Sequence, residues 1–191
     1  MPVLHHMDGG GESSRDIPVW DPLVRLIHWT LVLTIFLNGA ILDPEYDWHH
    51  WVGYLATGLV VVRLIWGFLG PTHSRFSAFP PNPFAAIRHI RAILKGDNTI
   101  HLSHNPLGSL MVYNIWLTIL TMGVTGYLMG TLAFFGVEWV KELHEIAFNW
   151  LLTSIVLHIG GVIFETRQSG VHLVRAMING RKRIPPNREI A

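Results

Sequence analysis

Four long apolar segments, separated by polar connections, run along this chain. They lie approximately at 23–42, 51–70, 107–129 and 146–164. Each is long enough, as a helix, to cross the roughly 30 Å of a bilayer's hydrocarbon core. Half of all residues are hydrophobic and only 14% are charged, a balance that a soluble domain of this size rarely has. The pattern therefore predicts an all-α fold, an integral membrane four-helix bundle.

The parts of the chain outside these spans are short and indicate no second domain. The chain divides into an N-terminal tail at 1–19, one transmembrane domain at 20–182 and a C-terminal tail at 183–191. The segments from Pro83 to Gly96 and between Gly170 and Gly180 combine apolar residues at helical spacing with basic residues. They predict short amphipathic interfacial helices on the cytoplasmic side. Binding to anionic membrane lipid explains them, and docking of a partner protein is the alternative.

Basic residues concentrate on alternate connections. The long connection between the second and third spans and the C-terminal tail are rich in Arg and Lys, whereas the connection after the first span reads DPEYDW and is acidic. Because cytoplasmic segments carry an excess of Lys and Arg, both termini and the long connection should be cytoplasmic. This topology explains the basic residues without a nucleic acid, so no nucleic-acid partner is expected.

Four histidines lie in or beside the apolar segments at two depths. His144 and His158 are fourteen residues apart, so on one helix they return to within about 40° of the same face and are about 21 Å apart along the axis. By the predicted topology His28 matches the depth of His158, and His49 matches that of His144. Ionisable side chains inside a membrane are costly and are functional by default. Each pair suits the two axial positions of one haem, so the pattern predicts two bis-histidine haem groups. For any single histidine, a hydrogen bond to a neighbouring helix is the alternative.

The chain contains no cysteine. Disulfides, thiolate-ligated iron–sulfur clusters and covalently attached haem are therefore excluded. Any metal or haem must therefore be held by nitrogen, oxygen or methionine sulfur.

His49 and His50 compete for one ligand position. Gly53 lies four residues after His49 on the same helix face, where the missing side chain would let a flat macrocycle approach the helix. His50 points about 100° away and has no such partner, so His49 is the favoured ligand. His158 is likewise followed by Gly160 and Gly161. The alternative explanation of these glycines is close helix packing.

Haem propionates require cations, and two arginines are candidates. Arg25 precedes His28 by about one turn, and Arg63 follows His49 by fourteen residues on the same face, at the level of His28. An arginine inside a span is costly unless it is paired. The alternative is that Arg63 snorkels to the surface from the helix end and that Arg25 simply lies near that surface.

Five motifs in order resemble the prokaryotic cytochrome b561 family. They read VWDPLVRLIHW, HHWVGY running into VVRLIWGFLGPTHSRF, SHNPLGSLM, LHEIAFNWLLTSIVLHIGGV and HLVRAMINGRK. The family includes b-type subunits of nickel–iron hydrogenases and stand-alone di-haem cytochromes. The resemblance covers nearly all of 19–182 and implies a multi-pass protein of the bacterial inner membrane. It implies that His28 and His158 ligate a cytoplasmic haem b, and that His49 and His144 ligate a periplasmic one.

The histidines and the resemblance together favour transmembrane electron transfer between a periplasmic redox partner, such as a cytochrome c, and the membrane quinone pool. One alternative is an enzyme in its own right, a superoxide:quinone oxidoreductase, although the acidic outer connections disfavour steering of an anion. Another is a membrane-anchoring cytochrome b subunit of a hydrogenase or dehydrogenase complex. Whether the chain forms an oligomer stays open.

A quinone or quinol needs an apolar slot and hydrogen-bond donors. On the cytoplasmic side the sequence offers His104, Asn105, Arg75 and Arg63 beside apolar segments. The alternative is that these residues only cap the third spanning helix and bind lipid phosphates.

Overall fold

The computed structural model of the chain describes residues 14–96, 99–186 and 190. The fold is mostly helical. Its helices are α1 (Pro22–Ala40), α2 (Asp47–Leu69), α3 (Pro83–Leu94), α4 (Pro106–Met129), α5 (Glu138–Ser169) and α6 (Leu173–Asn179). Helices α1, α2, α4 and α5 are long and apolar enough to cross a membrane, which confirms the predicted helical membrane bundle. Most of the predicted N-terminal tail, 1–13, and residues 187–189 and 191 of the C-terminal tail lie outside the described residues.

Helix α5 differs most from its predicted bounds, because it extends beyond 146–164 at both ends. Its first turns are charged and escape a search for apolar residues, yet they contain no helix breaker. Glu138 lies in the first turn, where the helix dipole favours an acidic residue. Nζ of Lys141 lies 3.7 Å from Oε1 of Glu145, which is one helical turn further along. The helix ends at Gly170, which adopts a φ of 74° as its C-cap.

The four spanning helices do not pack equally against one another. Helix α1 packs on α2, α2 on α4, and α4 extensively on α5, while α3 lies against α4. Within the described residues, α5 makes no extensive contact with α1 or α2. The contacts there are isolated, such as the Phe148 ring against the Gly39 position. Helix α5 therefore stands apart from the first two helices and is held by α4.

A buried apolar cluster joins the helices near one end of the bundle. It contains Ile27 and Leu31 of α1, Val60 of α2 and Trp116 of α4, together with Phe79 from the connection between α2 and α3. Away from this cluster the spanning helices expose large apolar side chains; Leu117 and Val156, for example, are 67% and 69% exposed. Apolar surface on this scale suits contact with lipid rather than with water.

The two ends of the described chain meet in a short β-ribbon that the sequence did not predict. Strand β1 (Arg15–Pro18) pairs antiparallel with β2 (Arg181–Ile184). The amides of Val19 and Trp20 donate to the carbonyl of Gly180 at 2.9 and 3.1 Å, and Gly180 has a φ of 83°. We call this end of the bundle the ribbon end. Helices α3 and α6 confirm the two predicted amphipathic helices.

The opposite end carries the connections at 41–46 and 130–137, and we call it the turn end. Because every spanning helix runs between the ribbon end and the turn end, depth in the bundle follows directly from position along each helix. His28 and His158 lie toward the ribbon end, and His49 and His144 lie toward the turn end.

The α2–α4 interface depends on Gly123, and this yields a stability prediction. A Cβ at Gly123 would collide with the Thr57 side chain, whose own Cβ would be 3.0 Å away. Thr57 is β-branched and its hydroxyl donates to the Gly53 carbonyl at 2.9 Å. Its side chain therefore cannot easily rotate away from an added methyl group. Gly123→Ala should therefore lower the thermal unfolding midpoint in detergent, at a cost of about 1–3 kcal/mol.

Gly58→Ala is the matched control, because a Cβ at Gly58 meets nothing within 4 Å. It should leave the midpoint unchanged or raise it slightly, since alanine is favoured over glycine in a helix by about 0.5–1 kcal/mol. Equal midpoints for the two variants would show that the α2–α4 interface tolerates a methyl group.

Candidate functional site

The histidines of the turn end, His49 on α2 and His144 on α5, lie close to each other. The ring centroids of His49 and His144 are 6.5 Å apart, and both residues are half-buried. Two metal–imidazole bonds of about 2 Å, plus about 1.1 Å from each nitrogen to its ring centre, give roughly 6.2 Å. The two rings are therefore spaced as axial ligands of one metal ion. His50 is exposed.

A threonine orients His144. Thr125 Oγ1 lies 2.8 Å from the carbonyl oxygen of Thr121 and 3.1 Å from that of Met122. Carbonyls only accept, so the hydroxyl proton points to them and Oγ1 accepts a hydrogen bond from His144 Nδ1, 2.9 Å away. This assignment places the ring proton on Nδ1 and leaves Nε2 with a free lone pair, the form that binds a metal.

Gly53 and Gly126 lie close to neighbouring side chains at this end. A Cβ at Gly53 would lie 3.4 Å from Nδ2 of Asn38, and that amide donates to the His49 carbonyl at 3.0 Å. A Cβ at Gly126 would lie 3.6 Å from Cε1 of His144. Both distances are ordinary van der Waals contacts, so helix packing does not require glycine at either position.

At the ribbon end, His28 and His158 are close enough to interact electrostatically, and both are half-buried. Nδ1 of His28 is buried without a hydrogen-bond partner among the described residues, as is Nδ1 of His49 at the turn end. A Cβ at Gly160 or Gly161 would meet nothing within 4 Å. Helix packing therefore does not explain these two glycines, and α5 borders open space just after His158.

Arg63 is buried rather than extended to the surface. It is only 3% exposed, and its Nη2 donates to the Ser74 carbonyl at 2.9 Å. Its guanidinium carbon lies 5.6 Å from the Phe79 ring centre and 5.0 Å from that of Trp116, as in cation–π pairs. Nη1 is buried without a partner among the described residues. The snorkelling alternative for Arg63 is thus wrong, because the loop after α2 folds over this side chain.

Arg25 lies against the turn between α6 and β2. A Cβ at Gly180 would lie 2.7 Å from Nη1 of Arg25 and 2.7 Å from the carbonyl oxygen of Trp20. The turn requires glycine there for its φ and for the close backbone contact with Trp20. Nε of Arg25 is buried and lacks a hydrogen-bond partner among the described residues. Each of the two predicted arginines therefore keeps one buried N–H group that the described chain does not satisfy.

These paired sites do not resemble those of a bare metal ion. Across 14–96, 99–186 and 190, no group of three or more histidine or acidic side chains could hold one. A pair of imidazoles suffices only when a macrocycle supplies the equatorial ligands, as it does for the iron of haem. The donor set, the ring spacing and the open space after His158 therefore fit haem.

The family model described as "Prokaryotic cytochrome b561" matches residues 19–180 of this chain. The chain belongs to the prokaryotic cytochrome b561 family. A search of curated proteins found no match. Family membership makes the chain a membrane b-type cytochrome of electron transfer, which binds b-type haem and works with lipid and redox partners. With no cysteine in the chain, this b561 cytochrome holds its haem without thioether bonds.

Two residues of the predicted quinone site serve local structure in this cytochrome. The side-chain oxygen of Asn105 accepts from the Gly108 amide at 2.7 Å and so caps α4, while its Nδ2 donates to Glu165 at 3.1 Å. Nε of Arg75, an exposed residue, donates to the Gly70 carbonyl at 2.7 Å. The capping alternative therefore accounts for Asn105, and Arg75 stabilises its own loop.

His104 is different, because it caps nothing. Its ring lies between those of Trp20 and Phe79, with centroid distances of 4.9 and 5.0 Å. Burial lowers the pKa of His104 to about 3, and the charges of Lys182 and Arg63 add to the effect, so the imidazole is neutral. Its Nδ1 is buried without a partner among the described residues.

Two charged side chains of the ribbon end, Asp21 and Lys182, hold structure together there but were not singled out from the sequence. Asp21 caps α1 and accepts hydrogen bonds from the Val24 amide, Trp66 Nε1 and Ser74 Oγ. Burial raises the pKa of Asp21, but these hydrogen bonds outweigh it and hold the pKa below its ordinary value. An aspartate followed by proline before an apolar run is a helix-start signal that would have identified it. Lys182 was counted only among the basic residues of the tail, yet it is 4% exposed.

Proposed function

We propose that this b561 cytochrome transfers electrons across the bacterial inner membrane through two haem b groups. They connect a periplasmic redox partner, such as a cytochrome c, with the membrane quinone pool. His28 and His158 hold the haem of the ribbon end, and His49 and His144 hold that of the turn end. One observation carries the proposal: α5 supplies one histidine to each pair and stands apart from α1 and α2, which supply the others.

Bound haem b supplies one-electron chemistry, its iron alternating between the ferric and ferrous states. Each histidine pair would hold the iron of one haem through two imidazoles, which suits electron transfer rather than the binding of oxygen or peroxide. Thr125 fixes the orientation of one of these imidazoles through Nδ1. Arg25 Nε and Arg63 Nη1, which have no hydrogen-bond partner among the described residues, would donate to the haem carboxylates at the ribbon end.

The charge of the two ends supports the orientation. The ribbon end exposes Arg75, Arg88, Arg91, Arg175 and Arg181, whereas the turn end exposes Asp43, Glu45, Asp47, Glu138 and Glu142. By the positive-inside rule the ribbon end, with both chain termini, faces the cytoplasm. The acidic turn end then meets the periplasmic partner and favours a basic protein. It disfavours the superoxide alternative, because it would repel an anion. A membrane-anchoring subunit would use the same electron path with a different partner.

The first prediction concerns haem number and the choice between neighbouring histidines. Purified protein should contain two haem b per chain by pyridine haemochrome assay against amino-acid analysis. His49→Ala should reduce this to one, because the turn-end iron loses an axial ligand. His50→Ala should retain both and serves as the matched control. One haem per chain in the unaltered protein would refute the two-level arrangement, and the reverse result for the variants would make His50 the ligand.

The second prediction concerns Thr125. Thr125→Val removes the acceptor that orients His144 but keeps the shape of the side chain. Loss of a hydrogen bond behind a metal ligand typically costs about 10- to 100-fold in affinity, so the turn-end haem should dissociate faster by about that factor. Thr121→Val is the control, because the Thr121 hydroxyl donates only to the Leu117 carbonyl of its own helix. Equal dissociation rates for both variants would remove Thr125 from the site.

The third prediction concerns the quinone, whose headgroup we propose to lie beside His104 at the ribbon end. This neutral imidazole with an unpartnered nitrogen suits a hydrogen bond to a quinone carbonyl. Loss of that bond in His104→Ala should slow haem reduction by quinol about 10-fold in stopped-flow measurements. Haem spectra should stay intact, and exposed His172 provides the control variant His172→Ala. Unchanged quinol kinetics in both His104→Ala and Arg75→Ala would place the quinone elsewhere.

A further inference from the structure

The β-ribbon places a second buried cation at the ribbon end. Along β2 the side chains alternate: Arg181 and Arg183 are exposed, whereas Lys182 is 4% exposed and Ile184 is fully buried. Nζ of Lys182 donates to the carbonyls of His101 at 2.8 Å and Ser103 at 3.0 Å. An ammonium group has three donors, so one N–H is left for a further acceptor.

Lys182 also lacks a direct countercharge. Among the described residues no carboxylate forms an ion pair with it. Burial lowers the pKa of Lys182 to about 8, although the nearby Glu165 carboxylate acts in the opposite direction. The Oε2 atom of Glu165, however, accepts from Asn105. A buried ammonium with only carbonyl partners is expensive, and an additional anionic ligand would offset this cost.

A row of aromatic rings connects Lys182 with Arg63. Nζ of Lys182 lies 5.8 Å from the Trp20 ring, which is 4.9 Å from the His104 ring. His104 is 5.0 Å from Phe79, and Phe79 is 5.6 Å from the guanidinium carbon of Arg63. His104 is close enough to interact electrostatically with both cations, and also with His158 and His28. Two buried cations, each with an unfilled donor, thus flank the region beside the ribbon-end histidine pair.

We propose that Lys182 and Arg63 form a carboxylate-binding site for the side-chain carboxylates of the ribbon-end haem. The inference rests on the two-haem proposal and extends it to a residue outside the membrane helices. Lys182 would donate its remaining N–H to a carboxylate oxygen. The β-ribbon would hold this ammonium group beside the cofactor. Arg63 would donate through Nη1, the atom that the protein leaves without a partner.

The test measures haem loss from purified holoprotein to an excess of a haem-scavenging apoglobin. Lys182→Met should release the ribbon-end haem about 10-fold faster, as expected for the loss of a charge-assisted hydrogen bond. Lys182→Arg keeps the cation and should stay close to the unaltered rate. Arg181→Met removes an exposed cation from the same strand and should also change little. The turn-end haem, released separately, is the internal reference.

A second arm identifies the carboxylate. The protein and Lys182→Met are reconstituted with the dimethyl ester of haem b, which carries no carboxylate. The ester should leave both proteins at the same rate. Accelerated loss by the same factor with haem and ester would show that Lys182 only supports the loop at 101–103, or that its acceptor is a different carboxylate. No acceleration with either would also overturn the proposal.

Failure of the two-haem proposal looks different. In that case His28→Ala leaves the haem content of the protein unchanged, because no haem occupies the ribbon end. If His28→Ala loses one haem while Lys182→Met releases it at the unaltered rate, the carboxylate site alone is wrong. Should Lys182→Met fail to accumulate, the ester arm is run on Lys182→Arg and the unaltered protein. The site then predicts that the ester leaves both about 10-fold faster than haem does, and equal rates for ester and haem would refute it.

Discussion

The unbroken course of helix α5 from Glu138 to Ser169 is the constraint on which the candidate site depends. Fourteen residues of regular helix set both the separation of His144 and His158, about 21 Å along the axis, and their shared face. The rotation of α5 is held by α4, where Asn114 donates to Ser154 at 2.8 Å and accepts from Trp150 at 2.9 Å. Both histidines would turn together if this helix rotated, so a single interface aligns the two ends.

At the ribbon end, hydrogen bonds of buried charged side chains hold the connections between the helices in place. Arg63 donates to the Ser74 carbonyl, the Ser74 hydroxyl donates to Asp21, and Asp21 caps α1. Lys182 ties β2 to the loop before α4 through two carbonyls. Cations that suit the carboxylates of a cofactor therefore also hold the connections in place. Folding and the proposed cofactor binding would draw on the same side chains, because a buried charge is tolerated only where acceptors surround it.

The helices and the placement of the four histidines at two depths could be predicted because hydropathy and helical period are local properties of the chain. Family membership was predictable from motifs such as VWDPLVRLIHW. The β-ribbon was not, since a four-residue strand leaves little signal and its partner lies at the other end of the sequence. Without knowledge of that pairing, the sequence gives no reason to separate Lys182 from the other basic residues near the C-terminus. The burial of His104 and of Arg63 depends on how the connection after α2 folds back, which no local pattern reveals.

Electron paramagnetic resonance of the oxidised, purified protein at low temperature tests the central claim most directly. Ferric haem with two imidazole ligands is low-spin, and its signal depends on the relative orientation of the two rings. Two histidine pairs in different surroundings predict two low-spin ferric signals of equal intensity, with no high-spin component. A single low-spin signal integrating to one iron per chain, or a stoichiometric high-spin signal from an iron with an open axial position, would contradict the account.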